Sequence, residues 1–177
     1  MATTHVEVVS PARILFSGEA AFVVLRTDGG EIMFLPEHAD FVGAVDISLV
    51  RIAEAGAEAG REGGHAESEF RAAVHGGFVH VADNKVTLLA SVAEPASEID
   101  VDRARRALEA ARAALAAGEG GGHEAQQAGA EEAAETSSAM KALLSPDDPE
   151  VALRRAEVRL EAAGASEPTG SSAPAAH

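Results

Sequence analysis

Gly30-Glu31-Ile32-Met33-Phe34-Leu35-Pro36-Glu37-His38-Ala39 is the stretch whose reading decides the fold. A Gly-Glu pair leads into an apolar strand that stops at Leu35-Pro36, and a His-Ala turn follows. Pro36 has no amide hydrogen and a fixed φ, so the strand must end there or lie at a sheet edge. Working outward, Val6 and Val8 alternate with His5 and Glu7, the period of a half-buried strand. Phe22-Val23-Val24-Leu25 is a short buried run closed by the turn residues Thr27-Asp28-Gly29-Gly30. Ile47 to Ile52 is a further strand. Phe78 to Ala82 and Val86 to Leu89 flank Asp83-Asn84-Lys85, a hairpin turn whose residues tolerate positive φ. Short strands without an intervening helical period predict an antiparallel β-sandwich over residues 1–96. Ala55 to Ala66, rich in Ala, Gly and Glu, reads as a surface connection between two strands.

From Asp100 the period changes. Val101, Ala104, Leu108, Ala111 and Leu115 recur every three or four residues and make one apolar helical stripe. Leu153, Ala156, Leu160 and Ala163 make another, punctuated by Asp148 as N-cap, Pro149 in the first turn and Gly164 past the end. The fold class is therefore α+β, β then α: a sandwich followed by a two-helix antiparallel hairpin over residues 97–164. Both stripes are narrow, so the hairpin is expected to be marginal without a partner. Residues 118–145 begin Gly118-Glu119-Gly120-Gly121-Gly122 and hold few large apolar side chains, the composition of a flexible insert. Within them, Ala130 to Leu144 is at most a weak helix. Residues 165–177 read as a disordered tail.

Composition narrows function. The formal net charge of −15 excludes ordinary nucleic-acid binding and adsorption to anionic lipid. With no Cys, there are no disulfides, thiolate metal sites or Cys nucleophiles. No basic region precedes an apolar stretch at the N-terminus, so no signal peptide is expected. No apolar run approaches the roughly 20 residues that span a bilayer, so membrane association is expected only through partners. The 7 His show no metal-ligand spacing, and His75 and His80 read as surface or partly buried residues flanking a Gly-Gly turn. The Gly run at 120–122 lacks the Lys-Ser/Thr of a phosphate loop, and no nucleophile elbow is present. No enzyme, catalytic residue or metal site is expected.

The order of these segments resembles the epsilon subunits of bacterial F-type ATP synthases. Gly30 to Ala39 is similar to that family's strand and loop, and Val6-Glu7-Val8-Val9-Ser10-Pro11 and Leu15-Phe16-Ser17-Gly18-Glu19-Ala20 to its opening strands. The resemblance implies a non-catalytic central-stalk subunit of a proton-translocating ATP synthase, peripheral on the cytoplasmic face of the cell membrane. Its implied partners are the gamma subunit, the c-subunit ring and the alpha/beta catalytic head. The sandwich would dock on the rotor, with Glu31 and His38 as contact candidates toward the ring and gamma. The C-terminal helices would restrain ATP hydrolysis. Two departures stand out: Glu37 occupies a place where Gly is common, and Asp40 one where Pro is common.

Ile99-Asp100-x-x-Arg103-Ala104 also resembles the motif with which some bacterial epsilon subunits bind ATP. The resemblance implies a regulatory ATP, with no cofactor required, at Glu94, Asp100 and Arg103, with Arg155 and Arg159 as phosphate donors one helical turn apart. Ala110 stands where those members carry a further Arg. Local chemistry offers a plainer account: Asp100 starts a helix, where the dipole favours an anion, and Arg103 can pair with it. The rival readings of the whole chain are a stand-alone ATP-sensing module and an acidic scaffold domain.

Overall fold

The computed structural model describes residues 2–55, 69–119 and 148–165. Seven strands come first: β1 (Thr4–Val9), β2 (Ile14–Thr27), β3 (Gly30–Phe34), β4 (Phe41–Glu54), β5 (Glu69–Ala82), β6 (Lys85–Ala90) and β7 (Ala93–Pro95). A 3-10 turn, Ala96–Glu98, leads into α1 (Val101–Glu119), and α2 spans Pro149–Ala162. The connection read at 55–66, the insert read at 118–145 and the tail read at 165–177 lie outside the described residues, apart from their edges. Of those edges, Gly118 and Glu119 belong to α1, and Ala165 to the cap of α2.

The strands run in the order β1-β6-β5-β4-β2-β3, with β7 on β5, and β1 also pairs with β2. That last pairing closes the sheet on itself. All pairings are antiparallel except β1–β6, which is parallel. The first strand fills the gap between β2 and β6, and its direction there is set by β2. Val6, Val8, Val23, Leu25, Phe34, Val50, Val74, Val79 and Leu88 fill the interior. β3 pairs only with β2 among the described strands and stops at Phe34, two residues before Pro36.

Three segments read as short strands belong to 14-residue strands: β2, β4 and β5. The Gly76-Gly77 pair is a bend inside β5 rather than a turn. Gly76 has φ 81° and Gly77 φ 150°. A Cβ on Gly77 would lie 2.3 Å from the Leu89 carbonyl oxygen, so only glycine fits. The neighbouring strand breaks at the same level: His75 N–H donates to Val92 O at 2.9 Å and Ser91 N–H to Gly76 O at 3.0 Å. Across this bend the alternation of β4 and β5 reverses. Val45 and Val79 point inward on one side, Val50 and Val74 on the other, and Ile47, Ala73 and His75 face outward.

That outward face is covered by α2. Val151, Val158 and Ala162 pack on Ile47 and Ala73, with Leu49 and Ile99 at the margin. The stripe read from sequence, Leu153, Ala156, Leu160 and Ala163, lies on the other flank of α2, and α2 also packs against α1. The helix is thus buried on two sides. The second stripe was not apparent in sequence because Val151 and Val158 are seven apart, with charged and small residues between.

The helix ends follow local chemistry. Asp148 Oδ1 accepts from Glu150 N–H at 2.8 Å with Pro149 at the first position. At the other end Gly164, φ 69°, donates to Glu161 O at 3.1 Å, and Ala165 donates to Leu160 O at 2.8 Å, a Schellman pair. Asp83 and Asn84, with φ 51° and 55°, form the two-residue β5–β6 turn.

Gly77→Ala places a methyl group against the Leu89 carbonyl and forces an unfavourable φ. It is expected to destabilise the fold by about 3 kcal/mol, the upper range for overpacking, read as a lower urea midpoint at unchanged slope.

Candidate functional site

A charged cluster lies where α2 crosses the sheet. β7 brings Glu94 opposite Ala73 on β5, and the outward face of β5 presents His75 two residues further on. Arg159, on the last turn of α2, donates from Nε at 2.9 Å and from Nη2 at 2.6 Å to Glu94 Oε1. His75 is 2% exposed. Its Nε2 lies 3.3 Å from the same oxygen, close enough for electrostatic contact but not aligned as a hydrogen bond. Burial lowers the His75 pKa; Glu94 opposes this, and Arg159 and Arg155 reinforce it. Contact with the His75 ring, then hydrogen bonds and charge from Arg159, hold the Glu94 carboxyl down at about 2 against burial. The same helix end is tied down by Arg71, whose Nη2 donates to Glu161 O at 2.7 Å, a cation at a helix C-terminus.

Glu94 and Arg159, proposed from sequence, are therefore brought together, with Arg155 near enough to act on His75. Asp100 and Arg103 are placed differently. Asp100 Oδ1 accepts from the Arg103 backbone N–H at 2.9 Å, the bond of a helix N-cap. Both side chains are exposed, and among the described residues they form no side-chain ion pair with each other. Ala110 is exposed on α1.

Glu31 and His38 lie at the other candidate site, the end of β3 and the loop after it. Glu31 is exposed opposite Arg26. His38 is half-buried; its ring meets Phe34 edge-on at 5.0 Å and its Nδ1 lies 2.7 Å from Ala39 O. Glu37 adopts φ 61°, which explains why glycine suits this place. Its N–H donates to Asn84 Oδ1 at 2.9 Å, while Asn84 Nδ2 donates to Thr3 O at 2.8 Å. One side chain thus pins the loop and the first strand to the β5–β6 turn. Met33 and Leu35 beside it are about half exposed.

His75, which reads from sequence as a surface or partly buried histidine, is fully buried in this cluster. The usable signal was its place two residues from Ala73 on an outward face, but that face is recognisable only when α2 is seen to cover it. Among the described residues no group of three or more His, Asp or Glu is placed to hold a metal, and no helix is long and apolar enough to cross a membrane.

The molecule is thus a closed sheet with a helix packed on its outer face and a second helix against that one. The ATP synthase delta/epsilon chain β-sandwich domain matches residues 3–96. An ATP synthase epsilon chain of Streptomyces griseus is 46% identical over 111 residues, 63% of this chain and 82% of that one. One from Pelotomaculum thermopropionicum is 40% identical over 114 residues, 64% of this chain and 77% of that one. A chain in a Euglena gracilis mitochondrial ATP synthase structure, 22% identical, superposes with a TM-score of 0.53, covering 93% of this chain and 79% of that one, and shares the fold. This chain belongs to the epsilon-chain family of ATP synthases.

Glu94→Gln removes the anion between His75 and Arg159 and leaves Arg159 partly buried without its partner. Docking of α2 is expected to weaken by about 1–3 kcal/mol. Because its pKa is depressed, the Glu94 contribution is complete above the ordinary carboxylate value of about 4.3 and is lost as pH falls toward 2. Chemical denaturation of both proteins at pH 7 and at pH 3 checks this: the difference between them shrinks at the lower pH.

Proposed function

We propose that this chain is a non-catalytic central-stalk subunit that couples proton flow to ATP synthesis, with residues 1–96 docking on the rotor and residues 97–164 regulating hydrolysis. The observation that carries this reading is the family match across residues 3–96, joined to 46% identity with an epsilon chain. The partners are the gamma subunit, the c-subunit ring and the alpha/beta head, and the chain is peripheral on the cytoplasmic face of the cell membrane through them. Glu31 and His38, with exposed Met33 and Leu35 beside them, are the contact residues toward the ring and gamma. A loop pinned by Asn84 and packed edge-on against Phe34 supports this role, because a docking surface gains from being ordered before contact.

In this reading the hairpin leaves the sheet and reaches the catalytic head to restrain ATP hydrolysis. Among the described residues its docked contacts include a row of Val and Ala on Ile47, Ala73 and Leu49, the Arg159–Glu94 pair and the Arg71–Glu161 bond, non-covalent contacts that suit an element that must come away. Truncation after Ala96 uncovers Ile47, Ala73 and His75 but leaves the closed sheet whole. The truncated chain is expected to unfold cooperatively, to assemble and to support ATP synthesis, while the purified complex hydrolyses ATP faster than wild type. Loss of assembly would show that the helices carry the docking surface. Copurification with the other subunits from detergent-solubilised membranes separates this reading from a stand-alone sensor or a scaffold.

A regulatory ATP is the second reading, favoured by the meeting of Glu94 and Arg159 beside Arg155. Phosphates would take Arg155, Arg159 and Arg103 only after the Glu94–Arg159 pair opens and the Asp100–Arg103 segment turns toward it. Calorimetry of the full chain with millimolar Mg-ATP tests it. A binding heat lost in Arg103→Ala supports the site; neither heat nor a thermal shift removes it and leaves Asp100 a helix cap.

A further inference from the structure

We infer that His75, together with Glu94, Arg155 and Arg159, forms a proton-sensitive latch that holds the C-terminal hairpin on the sheet and releases it on acidification. The inference rests on the reading that the hairpin leaves the sheet. Its foundation is the position of the histidine. His75 is buried on the outward face of β5, beside Ala73, with Ile47 opposite it on β4. Ile47 and Ala73 are the residues on which Val151, Val158 and Ala162 of α2 rest. The ring is therefore shut in by the element whose docking is in question. When α2 lifts, the ring meets water.

The charges around the ring make the docked state a poor home for a second proton. From β7 it faces Glu94; from α2 it faces Arg155 and Arg159; from β4 its cross-strand neighbour is the apolar Ile47. The Glu94 oxygen nearest the ring already accepts both Nε–H and Nη2–H of Arg159. Among the described residues neither ring nitrogen makes an aligned hydrogen bond, although Nε2 approaches Glu94 Oε1 at 3.3 Å. An imidazolium there would be a desolvated cation beside Arg159, competing for the Glu94 oxygen that Arg159 already occupies. Lifting α2 removes both arginines and restores water, so the charged ring is stabilised in the undocked state.

The sign follows from linkage. Burial lowers the docked-state pKa of His75 below the ordinary histidine value, so the docked state binds fewer protons than the undocked one. Docking is at full strength above about pH 6.5 and weakens as pH falls below it. Glu94 stays ionised throughout that range, because its own pKa lies near 2. It therefore adds no competing titration between pH 7 and 5. A single coupled proton limits the change in the docking equilibrium to about tenfold per pH unit. Acid would then favour the released hairpin, the form that restrains hydrolysis in the reading above.

Amide hydrogen exchange of the full chain between pH 7.5 and 5, corrected for intrinsic rates, tests the latch. Protection of α2 amides around Val158 and Leu160 is expected to fall several-fold across this range in wild type, while that of β1 and β6 holds. In His75→Gln, which cannot take the proton, α2 protection is expected to be flat. A wild-type hairpin whose protection does not change with pH, or an equal fall in His75→Gln, would overturn the latch. Exchange of α2 only through global unfolding at every pH would overturn the mobile hairpin as well, which separates the two failures. Should His75→Gln fold poorly, the proton NMR titration of the wild-type His75 ring decides. Titration below about 6.5 in step with loss of α2 protection supports the latch, and titration at or above that value overturns it.

Discussion

The bend of β5 at Gly76-Gly77, matched by the break between β6 and β7, is the constraint on which the rest depends. With the Leu89 carbonyl 2.3 Å from where a Cβ would sit, no side chain can occupy position 77. The bend lets a single long strand serve two layers, pairing with β6 beyond it and with β7 before it. It also reverses which residues face the interior. Without that reversal Ile47, Ala73 and His75 would not form an apolar outer surface, and α2 would have nothing to lie on.

α2 connects the two halves mechanically. One side of it carries Val151, Val158 and Ala162 onto the sheet, and the other carries Ala156 and Leu160 toward α1. Near its C-terminal end Arg159 meets Glu94 and Arg71 reaches the Glu161 carbonyl. The apolar contact is indifferent to pH. The charged cluster holds His75, whose pKa burial lowers. An element held by a uniform term and trimmed by a titratable one is suited to adjustable docking.

The two candidate sites were legible to different degrees. At the β3 end, the Gly-Glu, Leu-Pro and His-Ala order placed Glu31 on a strand and His38 in the turn after it, because the information there is local: a strand, a proline stop and a turn. What the sequence did not disclose is that Asn84, 47 residues away, holds the Glu37 amide. At the other site, Glu94 and Arg159 were singled out through a motif, and they do meet. Their meeting, however, is with each other and with His75, a residue that looked like one of several scattered histidines. Asp100 and Arg103 behave as local chemistry predicts for a helix start.

The sequence by itself determined the elements whose causes lie within a few residues. The Asp83-Asn84 turn, the stop at Pro36, the Asp148–Pro149 start and Gly164 end of α2, and the apolar stripe of α1 follow from dihedral preference, capping and period. Tertiary structure alone decided the length of β2, β4 and β5, since a Gly-Gly pair can be a turn or a bend until its neighbours are known. It decided the parallel pairing of β1 with β6, which arises from closing the sheet. It also decided that α2 has two buried flanks and that His75 lies beneath one of them. Those outcomes depend on contacts between residues as much as 90 apart in sequence, such as Arg71 with Glu161, which no local pattern encodes.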